Sequence, residues 1–328
     1  MTLIELLQQQ TVLYLALVGM IGLFVGSFLN VVIHRLPIMM ELEWRRGWQQ
    51  FANESEGISA TAESTSEQQS SQAEQAATLE NNTVNTDGST SASDAIPSIE
   101  QTFNLAVPRS RCPSCGNLIR AWQNIPVLSY MWLGGKCANC DNKISIRYPI
   151  VELFTALLSV ICAWKFGVSL QAVAAIGITW CLVALSGIDF DTHLLPDSIT
   201  LPLMWFGLIA SLIPIFARPP DAIIGAAVGY MSLWLIYWAF KLITGKEGMG
   251  YGDFKLLAAL GAWFGWQALP MIVLLSSVVG AVVGLTLIFA MGRDKQVPMP
   301  FGPFLAAAGW LAMILGEHLT SLYLGTLV

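Results

Sequence analysis

Long apolar stretches alternate with short polar ones along most of the chain. Eight of them approach the roughly 20 residues that a helix needs to cross a bilayer. They cover residues 12–33, 150–164, 170–188, 199–216, 222–243, 254–266, 270–291 and 301–324, the sixth being short for a full crossing. The pattern predicts an all-α, polytopic membrane protein with about eight transmembrane helices.

The composition supports this prediction. The residues are 55 % hydrophobic and only 12 % charged, whereas soluble domains carry about 25 % charged residues. No basic cluster with an ordered fold behind it indicates nucleic-acid binding. The first apolar stretch follows Glu5 instead of a basic segment and lacks a small-residue cleavage site. We therefore interpret it as a retained helix and not as a cleaved signal peptide.

A long polar segment separates the first apolar stretch from the second. Residues 41–50 are amphipathic and could lie along the membrane surface. Residues 51–101 contain no Lys or Arg and few apolar side chains, a composition that predicts disorder. The predicted regions are a first transmembrane helix (1–37), an amphipathic and disordered insertion (38–106), a cysteine-rich region (107–148) and a membrane domain (149–328).

The cysteine-rich region contains two Cys-x-x-Cys pairs about twenty residues apart. The first pair is Cys112 and Cys115, and the second is Cys137 and Cys140. This spacing is typical of a zinc ion held by four thiolates, and such a site is structural because it leaves no open coordination position. Two disulfides or four reduced thiols without a ligand are the alternatives. Disulfides are rare in the cytoplasm, where the charge pattern places this loop.

The basic residues are distributed unequally between the two sides of the predicted membrane. If the first span starts outside the cell and the spans alternate, all of the 16 Lys and Arg residues except Lys165 and Arg218 face the cytoplasm. Basic loops favour that side. The cysteine-rich loop and the two acidic clusters described next then share the cytoplasmic face.

Two acidic clusters lie between apolar stretches. The first contains Asp189, Asp191 and Asp197, and the second is the glycine-rich octet 248–255, which contains Asp253. Carboxylates near a bilayer are costly and indicate function, although Asp253 could instead cap the next helix. We expect Asp189 to be the most buried acid of its cluster because it directly follows an apolar helix. Asp191 is expected to be solvated and Asp197 to cap the helix that starts near Ile199.

Two aspartates that meet at a membrane boundary cannot easily both ionise, so the pair shares one proton. One carboxylate can then activate water as a general base while the other acts as a general acid, which is the chemistry of an aspartic protease. A protein of another class, a transporter that uses intramembrane aspartates to carry ions, is the alternative. The position of both clusters at one face and the lack of an apparent repeat disfavour it.

Several motifs together resemble the type IV prepilin leader peptidases, which are bifunctional membrane enzymes of pilus and type II secretion systems. They are Gly26-Ser27-Phe28-Leu29-Asn30 with the residues up to Pro37, both Cys-x-x-Cys pairs, Arg147-Tyr148-Pro149-Ile150-Val151-Glu152, Ile188-Asp189-Phe190-Asp191 with Leu194-Leu195-Pro196-Asp197, and Gly250-Tyr251-Gly252-Asp253. The resemblance covers nearly the whole chain except residues 39–101.

The resemblance implies a multi-pass protein of the bacterial inner membrane with its active site facing the cytoplasm. It implies that Asp189 and Asp253 catalyse cleavage of the basic leader of prepilins and pseudopilins. It also implies that the new N-terminal residue, usually phenylalanine, is methylated by S-adenosylmethionine. A peptidase without methylation is the alternative within this class. No glycine-rich nucleotide fingerprint locates the S-adenosylmethionine site. Asn30 and Glu152 are possible contributors to methyl transfer or substrate binding. The simpler expectations are an interhelical hydrogen bond or an interfacial position for Asn30, and a salt bridge to Arg147 or a charge at the helix N-terminus for Glu152.

Overall fold

The computed structural model describes residues 3–67, 103–246, 248–291 and 299–325. These residues form ten α-helices and no β-strand, with two isolated β-bridges in the cysteine-rich region. The helices are α1 (Leu3–Gln9), α2 (Thr11–Glu67), α3 (Leu128–Trp132), α4 (Arg147–Phe166), α5 (Leu170–Thr192), α6 (Asp197–Ala210), α7 (Pro219–Thr244), α8 (Tyr251–Phe264), α9 (Leu269–Met291) and α10 (Gly302–Gly325).

Each of the eight apolar stretches forms a helix, which confirms the predicted all-α membrane fold. Five helical segments in the described ranges are long and apolar enough to cross a membrane: Thr11–Phe51, Arg147–Phe166, Leu170–Thr192, Pro219–Thr244 and Trp266–Leu287. Asp197–Ala210 and Gly302–Gly316 are apolar but shorter. The chain is therefore a multi-pass membrane protein.

The chain divides into two compact units. One contains Met1–Pro37 and Arg109–Val328, and the other contains Ile38–Pro108. In the second unit, residues 51–67 continue helix α2, whereas their composition predicts disorder. Seven of these 17 residues are Ala or Glu, which are good helix formers. The rest of the predicted disordered segment, residues 68–101, lies outside the described residues.

Helix α8 lies at the centre of the membrane unit. It has only 14 residues, too few to cross a bilayer, and its residues 256–263 are all buried. Phe254, Leu256, Leu257 and Leu260 belong to the main hydrophobic core together with side chains of α5, α7, α9 and α10. A short helix that is apolar on every side is stable when protein surrounds it, and this explains the short sixth stretch of the sequence.

Glycines allow α7 and α8 to approach each other at backbone distance. A Cβ added to Gly261 of α8 would overlap the carbonyl oxygen of Gly225 of α7. A Cβ added to Gly229 would come within 2.7 Å of the Leu257 carbonyl oxygen. Because the obstacle in each case is backbone, it cannot move aside without shifting a helix.

We expect the Gly261→Ala variant to lose about 1–3 kcal/mol of stability, since overpacking forces the two backbones apart. The measurement is thermal unfolding of the purified protein in detergent. Gly177→Ala is the matched control, because Gly177 is also inside a helix but has no atom within 4 Å of the added Cβ. Equal unfolding temperatures for the two variants would contradict the close-packing interpretation.

Candidate active site

The two aspartates singled out from the sequence lie at facing helix ends. Asp189 is in the last turn of α5, and Asp253 is the third residue of α8. Both are buried, with exposed fractions of 5 % and 7 %. Leu195 lies beside both Gly252, which precedes Asp253, and Gly302, which donates a hydrogen bond to Asp189. The structure therefore brings together two side chains that are 64 positions apart in the sequence.

Tight contacts from a third helix and a loop hold this arrangement. The backbone N–H of Gly302, at the start of α10, donates a hydrogen bond of 2.9 Å to Oδ2 of Asp189. A Cβ on Gly302 would come within 2.6 Å of the same oxygen. Leu195 fills the space beside Gly302 and Gly252. A Cβ added to Gly302 would lie 3.2 Å from the Leu195 side chain, and one added to Gly252 would lie 2.6 Å from it.

Two glycines of the octet, Gly248 and Gly252, allow close approach of the Phe240 and Leu195 side chains, and none is needed for an unusual backbone conformation. Gly248, Gly250 and Gly252 all lack a positive φ. Gly250, not Asp253, is the N-cap residue of α8. One carboxylate oxygen of Asp253, Oδ1, is buried and has no hydrogen-bond partner among the described residues. A buried polar atom without a partner is costly, and this is the pattern expected of a group that awaits a substrate or water.

The other two acids of the first cluster form ion pairs. Asp191 is exposed, as expected of a solvated acid, and it also pairs with Nη1 of Arg147 at 2.7 Å. Asp197 pairs with Nζ of Lys255 at 2.6 Å. Pro196 is the N-cap residue of α6, and Asp197 is the first residue after it, so Asp197 does not cap this helix.

Glu152 and Asn30 connect helices near the same region. Arg147 is engaged by Asp191 and by the Gly187 carbonyl, so the expected salt bridge to Glu152 is not formed. Glu152 is instead 7 % exposed, and its Oε2 accepts a hydrogen bond of 2.8 Å from the Val127 backbone. Asn30 donates to the Tyr148 carbonyl at 3.1 Å, which is the interhelical hydrogen bond that its position near a span end predicts.

The four cysteines form a second candidate site. Their sulfurs all lie within 4.8 Å of one another, and Cys112 and Cys140 are 3.9 Å apart. Four sulfurs arranged tetrahedrally around zinc would be about 3.8 Å apart, given a Zn–S bond of about 2.3 Å. All four cysteines are free thiols, which disagrees with the disulfide alternative. The cluster can hold a metal ion.

The two Cys-x-x-Cys turns have the same backbone geometry. The amide of Cys112 bonds the Asn117 carbonyl, and the amide of Cys137 bonds the Asn142 carbonyl in the same way. The residue after the second cysteine has a positive φ in both turns, 67° at Gly116 and 54° at Asp141. Each turn therefore presents its two sulfurs from an equivalent loop, as the spacing predicts.

Local hydrogen bonds favour thiolate at some of these cysteines. The backbone of Asn117 and the side chain of Asn139 lower the pKa of Cys115 to about 6. Despite a backbone hydrogen bond from Asn142, desolvation and the neighbouring thiols raise the pKa of Cys140 to about 12. The Cys140 thiol therefore resists losing its proton, because the resulting thiolate would add a negative charge to the cluster. A bound cation would offset that charge and favour the thiolate.

Comparison with known proteins identifies the family of this chain. Residues 20–166 match the model of the bacterial peptidase A24 N-terminal domain, and residues 176–285 match that of the type IV leader peptidase family. Proteins described as prepilin leader peptidase/N-methyltransferase are similar over nearly their whole length. The one from Aeromonas salmonicida is 48 % identical over 99 % of both chains. The chain belongs to the type IV leader peptidase family.

Two further relatives carry the same description. That of Pseudomonas aeruginosa is 47 % identical over 99 % of this chain and 98 % of its own. That of Dichelobacter nodosus is 45 % identical over 96 % of each chain. No solved structure matches the chain. The family model for residues 176–285 contains both Asp189 and Asp253, whereas the N-terminal model contains the four cysteines.

Sequence reasoning missed Gly302 and Leu195 as parts of this site. Gly302 follows Phe301 at the start of an ordinary apolar stretch, and nothing in its neighbourhood is polar enough to mark it. Leu195 lies within a motif that carries the family resemblance, but leucine has no chemistry of its own that would single it out. The packing of α10 against α5 gives Gly302 its role, and the position of Leu195 beside Gly302 and Gly252 gives Leu195 its own.

Proposed function

We propose that this protein removes the leader peptide of type IV prepilins and type II secretion pseudopilins and then methylates the new N-terminal residue with S-adenosylmethionine as methyl donor. The observation that carries the proposal is the pair of buried aspartates at the ends of α5 and α8. The names of the relatives support both activities. Asp189 and Asp253 are the catalytic residues in this proposal.

The two aspartates have different surroundings, and these suggest different roles. Asp189 accepts the Gly302 N–H, which stabilises a carboxylate. It would act as the general base that takes a proton from water as the water oxygen attacks the scissile carbonyl carbon. Asp253 has a buried oxygen without a partner and would enter the reaction protonated, giving its proton to the carbonyl oxygen. When the C–N bond breaks, the leaving amine takes up a proton from the pair.

The protein would lie in the inner membrane of a bacterium, with its active site facing the cytoplasm. The distribution of Lys and Arg supports this orientation. A basic prepilin leader would remain at that surface while its apolar helix enters the bilayer, so that the scissile bond meets the two aspartates. The four cysteines would hold a structural zinc ion, because thiolate ligands in a tetrahedral arrangement suit this metal. S-adenosylmethionine would supply the methyl group.

We expect Asp189→Ala and Asp253→Ala each to reduce leader cleavage by roughly 10²–10⁴-fold, the usual contribution of a general acid or base. The measurement is cleavage of a prepilin in membranes, with mass spectrometry to detect both leader loss and the added methyl group. Asp191→Asn is the control, since Asp191 is an acid two positions from Asp189 but is paired with Arg147.

The outcomes separate the parts of the proposal. Cleavage by both alanine variants at the wild-type rate would contradict the catalytic assignment. If the wild-type protein cleaves the prepilin but does not methylate it with S-adenosylmethionine present, the peptidase assignment stands and the methyltransferase assignment is contradicted.

Gly302→Ala is expected to lower cleavage by up to about 10²-fold, because a displacement of about 1 Å in a catalytic group has an effect of this size. The added methyl group would come within 2.6 Å of Oδ2 of Asp189, so the carboxylate or α10 must shift. Gly316→Ala in the same helix meets no atom within 4 Å and should cleave normally. Full activity of Gly302→Ala would show that the Asp189 position tolerates movement.

Metal analysis of the wild-type protein, purified reduced and without chelator, is expected to give about one zinc ion per chain, as a four-thiolate site binds one ion. Cys115→Ser and Cys137→Ser should lose the metal because each removes a ligand. Cys181→Ser, in the membrane span α5, should retain it. Wild-type protein free of zinc would disprove this assignment.

A further inference from the structure

The segment that joins the two Cys-x-x-Cys turns is apolar and contains the short helix α3. Residues 121–135 include no charged side chain, and Arg120 and Lys136 bracket them. Three side chains of α3 are strongly exposed: Leu128 by 63 %, Met131 by 71 % and Trp132 by 86 %. A helix of this kind between basic residues is unfavourable in water and favourable at a membrane surface.

A hydrogen bond fixes how deep this segment lies. Val127, the residue just before α3, donates its backbone N–H to Glu152 at 2.8 Å. Glu152 belongs to the membrane span Arg147–Phe166 and is the sixth residue of α4. At 1.5 Å per residue, it lies roughly 7–8 Å inside the end of that helix. Interfacial helices bury their apolar faces to a depth of about 5–10 Å, so α3 begins at the level of the membrane interface.

Glu152 is itself held in place from a second helix. Ser27 of α2 lies next to its carboxyl group. A Cβ added to Gly26 would lie 2.7 Å from the Glu152 Cα, so α2 and α4 are in close contact there. The attachment point of α3 is therefore a rigid one.

Val127 has a backbone conformation that needs such support. Its φ is 56° and its ψ is −47°, values that a β-branched residue rarely adopts. Residues held in this way persist only where their surroundings determine them, and they are concentrated at functional positions. The Glu152 carboxylate accepts the N–H that this conformation presents.

We propose that α3 is a membrane-interface anchor whose partner is the lipid bilayer, with Leu128, Met131 and Trp132 inserted among the lipids. Two observations favour lipid over the apolar helix of a substrate. Ile150 and Leu153, on either side of Glu152 in the same membrane span, are 54 % and 52 % exposed, so lipid already covers this level of the protein. Arg120 and Lys136 at the ends of the segment suit anionic headgroups.

The anchor has a structural consequence for the metal-binding cysteines. One pair precedes residues 121–135 and the other follows them, so both turns are attached to a segment that the bilayer holds. The cysteine cluster would thus be kept at the membrane surface without contributing any residue to the aspartate site. This inference does not depend on the catalytic roles proposed above.

The test is site-specific photo-crosslinking in the full-length protein, reconstituted into vesicles of phosphatidylethanolamine and phosphatidylglycerol. p-Benzoylphenylalanine replaces Trp132, and the adducts are identified by mass spectrometry with and without a prepilin. The same substitution at Ile150 is the positive control for lipid contact. Lys143, an exposed residue of the second cysteine turn, is the aqueous control.

We expect lipid adducts at positions 132 and 150 and none above background at 143. If the label at position 132 forms adducts with prepilin and none with lipid, the proposal is overturned and α3 is a substrate-docking element. Adducts at 150 but none of either kind at 132 would also overturn it, since α3 would then lie in water.

Variants of Glu152 test the attachment separately. With the label at 132, Glu152→Ala should reduce the lipid adduct because Val127 loses its acceptor, whereas the adduct at 150 should be unchanged. Glu152→Gln should retain the adduct, because an amide oxygen can still accept the hydrogen bond. It is also the informative variant if Glu152→Ala does not fold. Loss of the adduct in Glu152→Gln, or its full retention in a folded Glu152→Ala, would contradict the role of this residue.

Discussion

Burial of helix α8 by its neighbours is the constraint on which the arrangement of the site depends. A carboxylate is costly to remove from water, and Asp253 lies at the beginning of this buried helix. The close approach of α7 at Gly225 and the cover provided by Leu195 at Gly252 leave α8 little freedom to move. The helix therefore holds Asp253 in a position that the side chain would not adopt in solution.

The charges next to the two aspartates are tied to other helices. Two positions after Asp189, Asp191 pairs with Arg147 of α4, and two positions after Asp253, Lys255 pairs with Asp197 of α6. Ion pairs with this degree of exposure contribute little stability. Their effect is limited to balancing the charges that flank the site.

The cysteine cluster uses a different principle from the membrane site. Its two turns are short, their side chains are mostly exposed, and neither has an apolar core of its own. Equivalent hydrogen bonds bring the four sulfurs to within coordination distance, and a metal ion is the natural source of stability for so small a region. Attachment of the segment between the turns to the membrane is the second source of stability that we propose.

The hydrophobic pattern alone was sufficient to predict the all-α membrane fold, because each apolar stretch must satisfy its backbone hydrogen bonds internally in lipid. The spacing of the cysteines likewise predicted their cluster, since each pair is joined by a local turn. Asp189 and Asp253 could be singled out because a carboxylate beside an apolar stretch has few structural explanations.

The tertiary structure decided which groups these residues meet. The sequence favoured Arg147 or the N-terminus of the helix as the partner of Glu152, but Arg147 binds Asp191 and Glu152 binds the backbone of Val127. It also gave no sign that Gly302 contacts Asp189 from 113 positions away. Periodicity and local spacing determine helices and turns, which form from neighbouring residues. Partners on different helices are set by packing, which no local pattern records.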